Sequence, residues 1–350
     1  MDRNKTMDVM LALGIIFVVL GHSYQPKIFL FPAYTFQVAI FFFISGYFFR
    51  VQEGLKNKWR WSRKKFLHLL VPYFIFNLFF GLFTLLLASR GISLSEKINW
   101  YNFFVTPFLT GHQYFLFLAA WFVPQLFIVH ALAQWILIRD RGHYFTGLLL
   151  AISLAASFLF SFSFKTIPAL WLLLLARTAL ALTFYLFGQV FRIFEAKLRP
   201  ILIYPVSFAF LFIVYVSLEA FFNGFTYSFA FLQFLNSPGV TLAGTLAAIL
   251  MIYIISHYLA QTLPVKNFLY QIGQHTFSIM ALHLLIFWTI NYILFRFALV
   301  SRLSLSNVFF LYQPERFWFV YVAFALAIPV LLALGYERLK LKYWPDLKIL

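Results

Sequence analysis

Long apolar segments alternate with short polar segments along almost the whole chain. A helix that crosses the hydrocarbon core of a bilayer needs about 20 mostly apolar residues, with a range of about 17–25. Ten segments meet this requirement, at residues 9–28, 34–50, 66–88, 114–137, 144–163, 168–190, 201–219, 239–260, 274–296 and 317–336. The pattern therefore predicts an all-α polytopic membrane protein with about ten transmembrane helices. The longest polar segment is residues 51–65, so residues 1–350 are expected to form a single transmembrane domain without a separate soluble domain.

The composition excludes a soluble fold and several kinds of chemistry. Hydrophobic residues make up 63% of the chain and charged residues 11%, whereas soluble domains have about 25% charged residues. A soluble globule of this size needs a charged surface over most of its area, which this chain cannot supply. Because the chain has no cysteine, disulfides, a thiolate nucleophile and cysteine-ligated metal centres are also excluded.

The distribution of positive charge predicts the topology. The formal net charge is +17, from 27 Lys and Arg against 10 Asp and Glu. Nineteen of these cations fall in loops on one side of the predicted helices, seven fall on the other side, and Arg177 lies inside a span. Cytoplasmic loops carry the excess of Lys and Arg, so both termini are predicted to be cytoplasmic. The surplus then indicates attraction to anionic membrane lipids and no nucleic-acid partner.

The outer segment 220–239 is too aromatic for a solvated loop. It carries Phe221, Phe222, Phe225, Tyr227, Phe229, Phe231 and Phe234. We expect it to lie in the membrane interface or to fold back into the helix bundle.

Two ionisable residues inside predicted spans are candidates for function, because such a side chain costs at least about 2.5–3.5 kcal/mol when it faces lipid. His22 lies about two thirds of the way through the first predicted helix, counted from the cytosol. The alternative role for His22 is a hydrogen bond to a neighbouring helix. Arg177 lies in the sixth predicted helix, and none of the Asp and Glu residues falls in the middle of a span to pair with it. It is therefore expected to face the bundle interior and hold an anion.

The remaining histidines carry weaker predictions. His112, with Gln113 beside it, lies at the outer mouth of the fourth predicted helix, where it could meet the hydroxyl of an acceptor. Four others lie near the cytosolic ends of spans, where interfacial solvation is expected: His68, His130, His143 and His257. No pattern in the sequence predicts a metal site.

Six short motifs resemble, in their order, those of the acyltransferase-3 family of integral membrane acyltransferases. The resemblance is nearest to the branch described as fucose 4-O-acetylase-like. The motifs are the run 8–22 ending in Gly21-His22, FFFISGYF at 41–48, RKK at 63–65 followed by LLVPY at 69–73, AWFVPQLF at 120–127, YLFG at 185–188, and IGQHTFSI at 272–279 with His283. They extend over nearly the whole chain, and ten spans with both ends inside agree with the family fold.

This resemblance implies an O-acyltransferase of the membrane, expected in the bacterial inner membrane. The family moves an acyl group, usually acetyl, from cytosolic acyl-CoA as co-substrate to a hydroxyl of a cell-surface or lipid-linked glycan, or of a small molecule. His22 would then be a general base or a transient acyl carrier. Candidates to stabilise the thioester oxyanion are Ser45, Trp121 and His283. Candidates to bind the CoA phosphates are Arg63, Lys64, Lys65 and Arg177. No metal is implied, and the oligomeric state is not indicated.

One position departs from the family pattern. The family pairs a basic residue with the helix 1 histidine across ten intervening residues, a spacing within about 20° of three full helical turns. In this chain that position is Leu11, on the same stripe as His22. Either the donor site is rebuilt around Arg3, Lys5 and the cluster before the third helix, or the enzyme is degenerate.

Two alternatives are also consistent with the sequence. The first is a multi-pass exporter or flippase of a saccharide, with His22 and Arg177 as proton relay and anion site. It is disfavoured by the absence of a two-half repeat. The second keeps the enzyme but changes the fold to the membrane-bound O-acyltransferase type, which the ordered motifs disfavour.

Overall fold

The structure is a computed structural model that describes residues 4–24, 31–137, 142–264 and 267–343. Helices dominate these residues, and the one strand pair among them is a short antiparallel hairpin, β1 (Tyr227–Ser228) with β2 (Gln233–Phe234). The helices are α1 (Lys5–Gly21), α2 (Ala39–Phe48), α3 (Leu55–Lys65), α4 (Val71–Ser89), α5 (Trp100–Phe104), α6 (Thr106–Leu109), α7 (Phe122–Ile136), α8 (Gly142–Thr166), α9 (Leu170–Leu202), α10 (Pro205–Phe221), α11 (Pro238–Thr262), α12 (Phe268–Gln274), α13 (Thr276–Arg296) and α14 (Pro314–Tyr343). The predicted all-α polytopic fold is confirmed.

Seven of the described helical segments are long and apolar enough to cross a membrane. They are Leu55–Ser89, Phe115–Ile136, Tyr144–Thr166, Leu170–Leu202, Pro238–Thr262, Thr276–Arg296 and Pro314–Tyr343. The first joins α3 to α4 through a π-helical turn, Phe66–Leu70, and the second begins with the 3₁₀-helix Phe115–Trp121. The other three predicted spans contain the shorter helices α1, α2 and α10.

Helix α1 is shorter than the first predicted span. It begins where the Asn4 side chain accepts a hydrogen bond from the backbone N–H of Met7, which satisfies one of the free N–H groups of the first turn. It ends at Gly21, and the hydroxyl of Ser23 donates to the carbonyl of Leu20 at 3.0 Å. Part of the predicted span, residues 25–30, lies outside the described residues.

Helix α2 has only 10 residues and lies in the interior, against α9. Two glycines allow the close approach. A Cβ at Gly46 would lie 1.8 Å from the Tyr185 carbonyl oxygen, and a Cβ at Gly188 would lie 1.9 Å from the Phe43 carbonyl oxygen. Only residues without a side chain permit two backbones to pack this closely.

The segment between α10 and α11 folds back onto the bundle, which was one of the two positions expected for residues 220–239. Phe225, Tyr227 and Phe229 are all buried, with Phe229 stacked on the Phe42 ring of α2 at 5.4 Å between centroids. The backbone N–H of Tyr227 donates to the Tyr34 carbonyl at 2.8 Å, which attaches the hairpin to the loop before α2. The hairpin therefore forms a wall at the end of the bundle where α1 terminates, which is the outer end in the predicted topology.

Candidate functional site

His22 follows the last residue of α1 rather than lying two thirds of the way through the helix, because α1 ends at Gly21. The 17 residues of α1 rise about 25 Å, close to the roughly 30 Å of a hydrocarbon core. With the predicted cytosolic N-terminus, His22 would lie near the outer boundary of the membrane. Its side chain is half-buried, and its Nδ1 is buried without a hydrogen-bond partner among the described residues.

His283 of α13 lies directly beside His22. The two ring centroids are 5.3 Å apart, and the ring planes are tilted by 40°. His283 is 0% exposed, and its Nδ1 lies 3.0 Å from the carbonyl oxygens of both Ile279 and Met280. Its other nitrogen, Nε2, is buried without a partner among the described residues. The structure therefore brings together the predicted catalytic residue and one of the predicted supporting residues.

A cavity of about 650 Å³ opens beside His22 at the outer end of the bundle. Its lining includes His22, Tyr34, His112, Trp121, Phe309 and the hairpin residues 226–231 and 233–235. The volume falls in the range of small-molecule sites, about 300–1,000 Å³. Aromatic rings dominate the wall, and the polar groups that reach it include the two imidazoles of His22 and His112.

Two smaller cavities also reach His22. One of about 50 Å³ lies between α1 and the segment before α2, and its lining includes Phe17 and Val18, one turn closer to the cytosol than His22. Another of about 470 Å³ lies on the side of Asn307 and Pro314. His22 is thus the lining residue that these three cavities share.

Arg177 of α9 is 0% exposed, and protein atoms accept hydrogen bonds from all of its N–H groups. Its Nε donates to Oε1 of Gln125 at 3.0 Å. Its two terminal nitrogens donate to backbone carbonyls at the end of α6 and in the hairpin: Phe108 (3.3 Å), Leu109 (2.7 Å), Thr110 (3.4 Å) and Ala230 (3.5 Å). A guanidinium has five N–H donors, so this set matches its full capacity.

The guanidinium of Arg177 also lies over the Trp121 ring, 5.0 Å from the centroid, and Trp121 lines the large cavity. Arg177 thereby fixes the outer loops around the cavity. The role of Arg177 as a ligand of CoA phosphates stays a prediction. Every N–H group of Arg177 already donates to a protein atom, which does not favour that role. The expected position in the bundle interior is confirmed, whereas its partners are carbonyl oxygens and an amide rather than an external anion.

The other predicted donor ligands lie on a different element. Arg63 and Lys64 are exposed on α3, and the Lys65 ammonium lies 5.4 Å from the centroid of the Trp61 ring. The structure does not bring this cluster to Arg177, whose contacts are with the outer loops. Ser45 is half-buried on α2, two helical turns beyond Val38, a residue of the cavity lining.

The side chains of His112 and Gln113 have different surroundings, although the two residues are neighbours in the chain. His112 lines the large cavity, and its Nδ1 donates to the Thr110 carbonyl at 2.6 Å, so Nε2 is its free acceptor. Burial is the main reason that the pKa of His112 falls to about 4. Gln113 is buried away from the cavity lining, and its amide nitrogen donates to the Tyr73 hydroxyl and to Oδ1 of Asn77. The acceptor-side position is thus supported for His112 alone.

Two histidines expected in the solvated interface are buried instead, so that expectation is wrong for His130 and His257. His130 Nδ1 lies 2.8 Å from the Tyr185 hydroxyl, and His257 Nε2 lies 2.8 Å from Nε2 of Gln261. Each ring has found a polar partner, which offsets the cost of leaving water. His68 is exposed as expected, and the side chain of His143 lies outside the described residues.

A polar cluster near the cytosolic end was not predicted from the sequence. The hydroxyls of Tyr47 and Tyr253 donate to the two carboxylate oxygens of Glu195, at 2.5 and 3.1 Å. Glu195 lies beyond the predicted span 168–190, but α9 continues to Leu202, which carries this carboxylate into the bundle. Among the described residues, no group of three or more His, Asp or Glu is placed to hold a metal ion.

The fold and this site define a polytopic helical membrane protein with a histidine at the meeting point of its cavities. The family model of the acyltransferase-3 family, described as an acyltransferase domain, matches residues 4–336. The chain therefore belongs to this family and is an integral membrane acyltransferase. No curated protein and no solved structure matches it significantly.

Proposed function

We propose that this protein transfers an acyl group, acetyl by preference, from cytosolic acyl-CoA to a hydroxyl of a cell-surface or lipid-linked glycan, in a bacterial inner membrane. The observation that carries this proposal is the position of His22, where the large outer cavity meets the narrow crevice beside Phe17 and Val18. A donor from the cytosol and an acceptor from outside would meet at this side chain.

The chemistry requires only a base and a positioned carbonyl. The acceptor oxygen attacks the thioester carbon as a nitrogen of His22 takes the hydroxyl proton. The C–S bond then breaks, and the CoA thiolate takes the proton from the imidazolium. Trp121 lines the same cavity, which supports its proposed role in stabilising the oxyanion. Ser45 lies further from the lining residues and would contact only the acyl-CoA.

An aromatic cavity suits a sugar acceptor. Sugar rings stack their C–H faces on aromatic side chains while their hydroxyls bond to a few polar groups. Tyr34, Trp121 and Phe309 supply such faces, and Nε2 of His112 is an acceptor for a hydroxyl. This chemistry favours a glycan of the kind that the fucose 4-O-acetylase-like branch is expected to modify.

The donor phosphates would bind at the cytosolic face, where Arg63, Lys64 and Lys65 follow one another at the end of α3. Leu11, at the family's basic position, is half-buried and packs against the hydrophobic core. We propose that this donor site uses the α3 cations in place of a basic residue at Leu11. Leu11→Arg should then leave donor affinity unchanged or lower it, and a clear gain in turnover would instead indicate a degenerate enzyme.

The direct test measures acyl transfer by the purified protein in detergent, with radiolabelled acetyl-CoA and oligosaccharide acceptors. His22→Ala should lower the rate by about 10²–10⁴-fold, the usual contribution of a general base. His68→Ala is the matched control, because His68 is exposed on the cytosolic side and should be dispensable. Transfer by His22→Ala at more than about a tenth of the wild-type rate would contradict the proposal.

The acceptor is identified in cells. Mass spectrometry of surface glycans, with and without the gene, should show an O-acetyl group that only the wild type adds. Export of unmodified saccharide with no acylated product from either strain would support the exporter instead.

A further inference from the structure

The two buried nitrogens that lack partners belong to neighbouring rings. Nδ1 of His22 and Nε2 of His283 have no hydrogen-bond partner among the described residues, and the ring centroids are 5.3 Å apart. A buried polar atom without a partner costs about 1–3 kcal/mol. Two such atoms on adjacent side chains therefore suggest a shared explanation.

The tautomer of His283 follows from its backbone contacts. Its Nδ1 lies 3.0 Å from two carbonyl oxygens, which only accept hydrogen bonds, so Nδ1 must carry the proton. In a neutral imidazole the other nitrogen then has a lone pair and no proton. Nε2 of His283 is consequently an acceptor, and His283 has no N–H left to stabilise an oxyanion.

The tautomer of His22 follows because the lone pair on Nε2 of His283 needs a hydrogen-bond donor. If Nδ1 of His22 were also unprotonated, two buried lone pairs would lie on adjacent rings without a donor. If Nδ1 carries the proton, it is the donor that His283 lacks. A linear N–H···N bond of about 2.9 Å between two imidazoles places their centroids about 5 Å apart, and the observed separation of 5.3 Å is compatible with such a bond.

We propose that Nδ1–H of His22 donates a hydrogen bond to Nε2 of His283, which makes His283 a positioning residue that keeps Nε2 of His22 bare and aimed at the acceptor. The inference rests on the proposed function, in which His22 is the base. When Nε2 of His22 takes the proton of the substrate hydroxyl, the positively charged ring of His22 keeps its hydrogen bond to Nε2 of neutral His283. His283 stays neutral throughout, and its Nδ1–H stays on the backbone carbonyls.

The surroundings explain why a second imidazole fills this position. A catalytic histidine is commonly held from behind by a carboxylate. No Asp or Glu is among the described residues that line the three cavities at His22. Phe309 stacks on the His22 ring at 6.1 Å between centroids, and Tyr34 lies at 6.5 Å edge-on. Among these three ring neighbours of His22, His283 has the nearest centroid, at 5.3 Å, and carries a ring nitrogen, so it is the acceptor that the geometry offers.

The test compares two substitutions of similar size. His283→Leu fills the space but removes the acceptor, whereas His283→Gln restores one through Oε1. His283→Leu should lower kcat about 10–100-fold, as loss of a partner behind a functional histidine typically does, with the KM values for donor and acceptor within about twofold. His283→Gln should recover most of kcat. His257→Gln, a buried histidine at the other end of the bundle, is the control and should keep wild-type kinetics.

A readout independent of turnover is the ¹⁵N NMR spectrum of histidine-labelled protein, in which the signals lost in His22→Ala identify His22. The wild type should show His22 protonated at Nδ1, and His283→Leu should move the proton partly or wholly to Nε2. A wild-type His22 protonated at Nε2 would overturn the proposal even if His283→Leu fails to fold. Equal losses of kcat in His283→Leu and His283→Gln, without a tautomer change, would show a structural role only. Full activity of His22→Ala would instead overturn the proposed function.

Discussion

At the scale of single residues, Arg177 carries a stability prediction. Its N–H groups bond to four backbone carbonyls and to Gln125, all within the bundle. Arg177→Lys keeps the charge but lowers the number of donors from five to three and loses the planar geometry. We expect it to lower stability by about 2–5 kcal/mol, seen as a lower melting temperature in detergent, because buried carbonyls lose partners.

The control for this substitution is Arg63→Lys, on the exposed surface of α3, which should leave the melting temperature unchanged. Binding of acetyl-CoA is measured on both variants by calorimetry. Weaker donor binding by Arg177→Lys at an unchanged melting temperature would restore the phosphate-binding role that the sequence suggested.

His112 carries a prediction about pH. Burial lowers its pKa from 6.5 to about 4, although the hydrogen bond to the Thr110 carbonyl raises it, and Arg177 adds a smaller lowering. Between these values the unfolded chain binds a proton that the folded protein does not bind, so the stability due to neutral His112 is complete above about pH 6.5 and is lost as pH falls toward 4. When the pH is lowered from 7.5 to 5, the melting temperature of His112→Gln should therefore fall less than that of wild type. An identical loss in both proteins would contradict the assigned burial.

At the scale of elements, the contact between α2 and α9 depends on two glycines. A Cβ added at Gly46 or Gly188 would lie under 2 Å from a backbone carbonyl oxygen of the other helix. Backbone atoms cannot move aside as a flexible side chain can, so the helices must separate. Overpacking of this kind costs about 1–3 kcal/mol or more. Gly46→Ala and Gly188→Ala should lower the melting temperature, and should also reduce acyl transfer because α2 supports the cavity wall through Phe42 and Phe229.

Gly147 in α8 is the matched control for these substitutions. A Cβ at this position meets nothing within 4 Å, so Gly147→Ala removes only the flexibility of glycine. Alanine is the better helix former by up to about 1 kcal/mol, and the variant should be as stable as wild type or more stable. A loss of stability in Gly147→Ala equal to that in Gly46→Ala would show that packing against α9 is not the cause.

At the scale of the whole molecule, the topology can be tested with single cysteines because the wild type has none. Leu303, in the 3₁₀-helix Leu303–Ser306, and Lys56, on α3, are both exposed and lie on opposite sides in the predicted topology. A membrane-impermeant maleimide should label Leu303→Cys in intact cells and Lys56→Cys only after permeabilisation. The reverse pattern would place the large cavity in the cytosol and contradict the proposed direction of transfer.

The sequence by itself determined the helical membrane fold and the two ionisable residues inside its predicted spans. Hydropathy and the positive-inside pattern are local properties, so each predicted span contains a described helix, and seven are long enough to cross a membrane. The cost of an ionisable group among apolar residues singled out His22 and Arg177 without a structure. The ends of α1 and α9 were misplaced, since a helix ends where capping and packing decide, and hydropathy does not report either.

Only the tertiary structure decided which of these groups meet. The packing of α13 against α1 sets His283 beside His22, and no spacing in the sequence encodes a contact between distant helices. Arg177 was expected to need an anion because side chains were the only partners visible in the sequence. Its partners are backbone carbonyls at the end of α6 and in the hairpin, and every residue has a carbonyl. Which carbonyls are free to accept depends on where helices end and loops fold back, and that is a property of the folded chain alone.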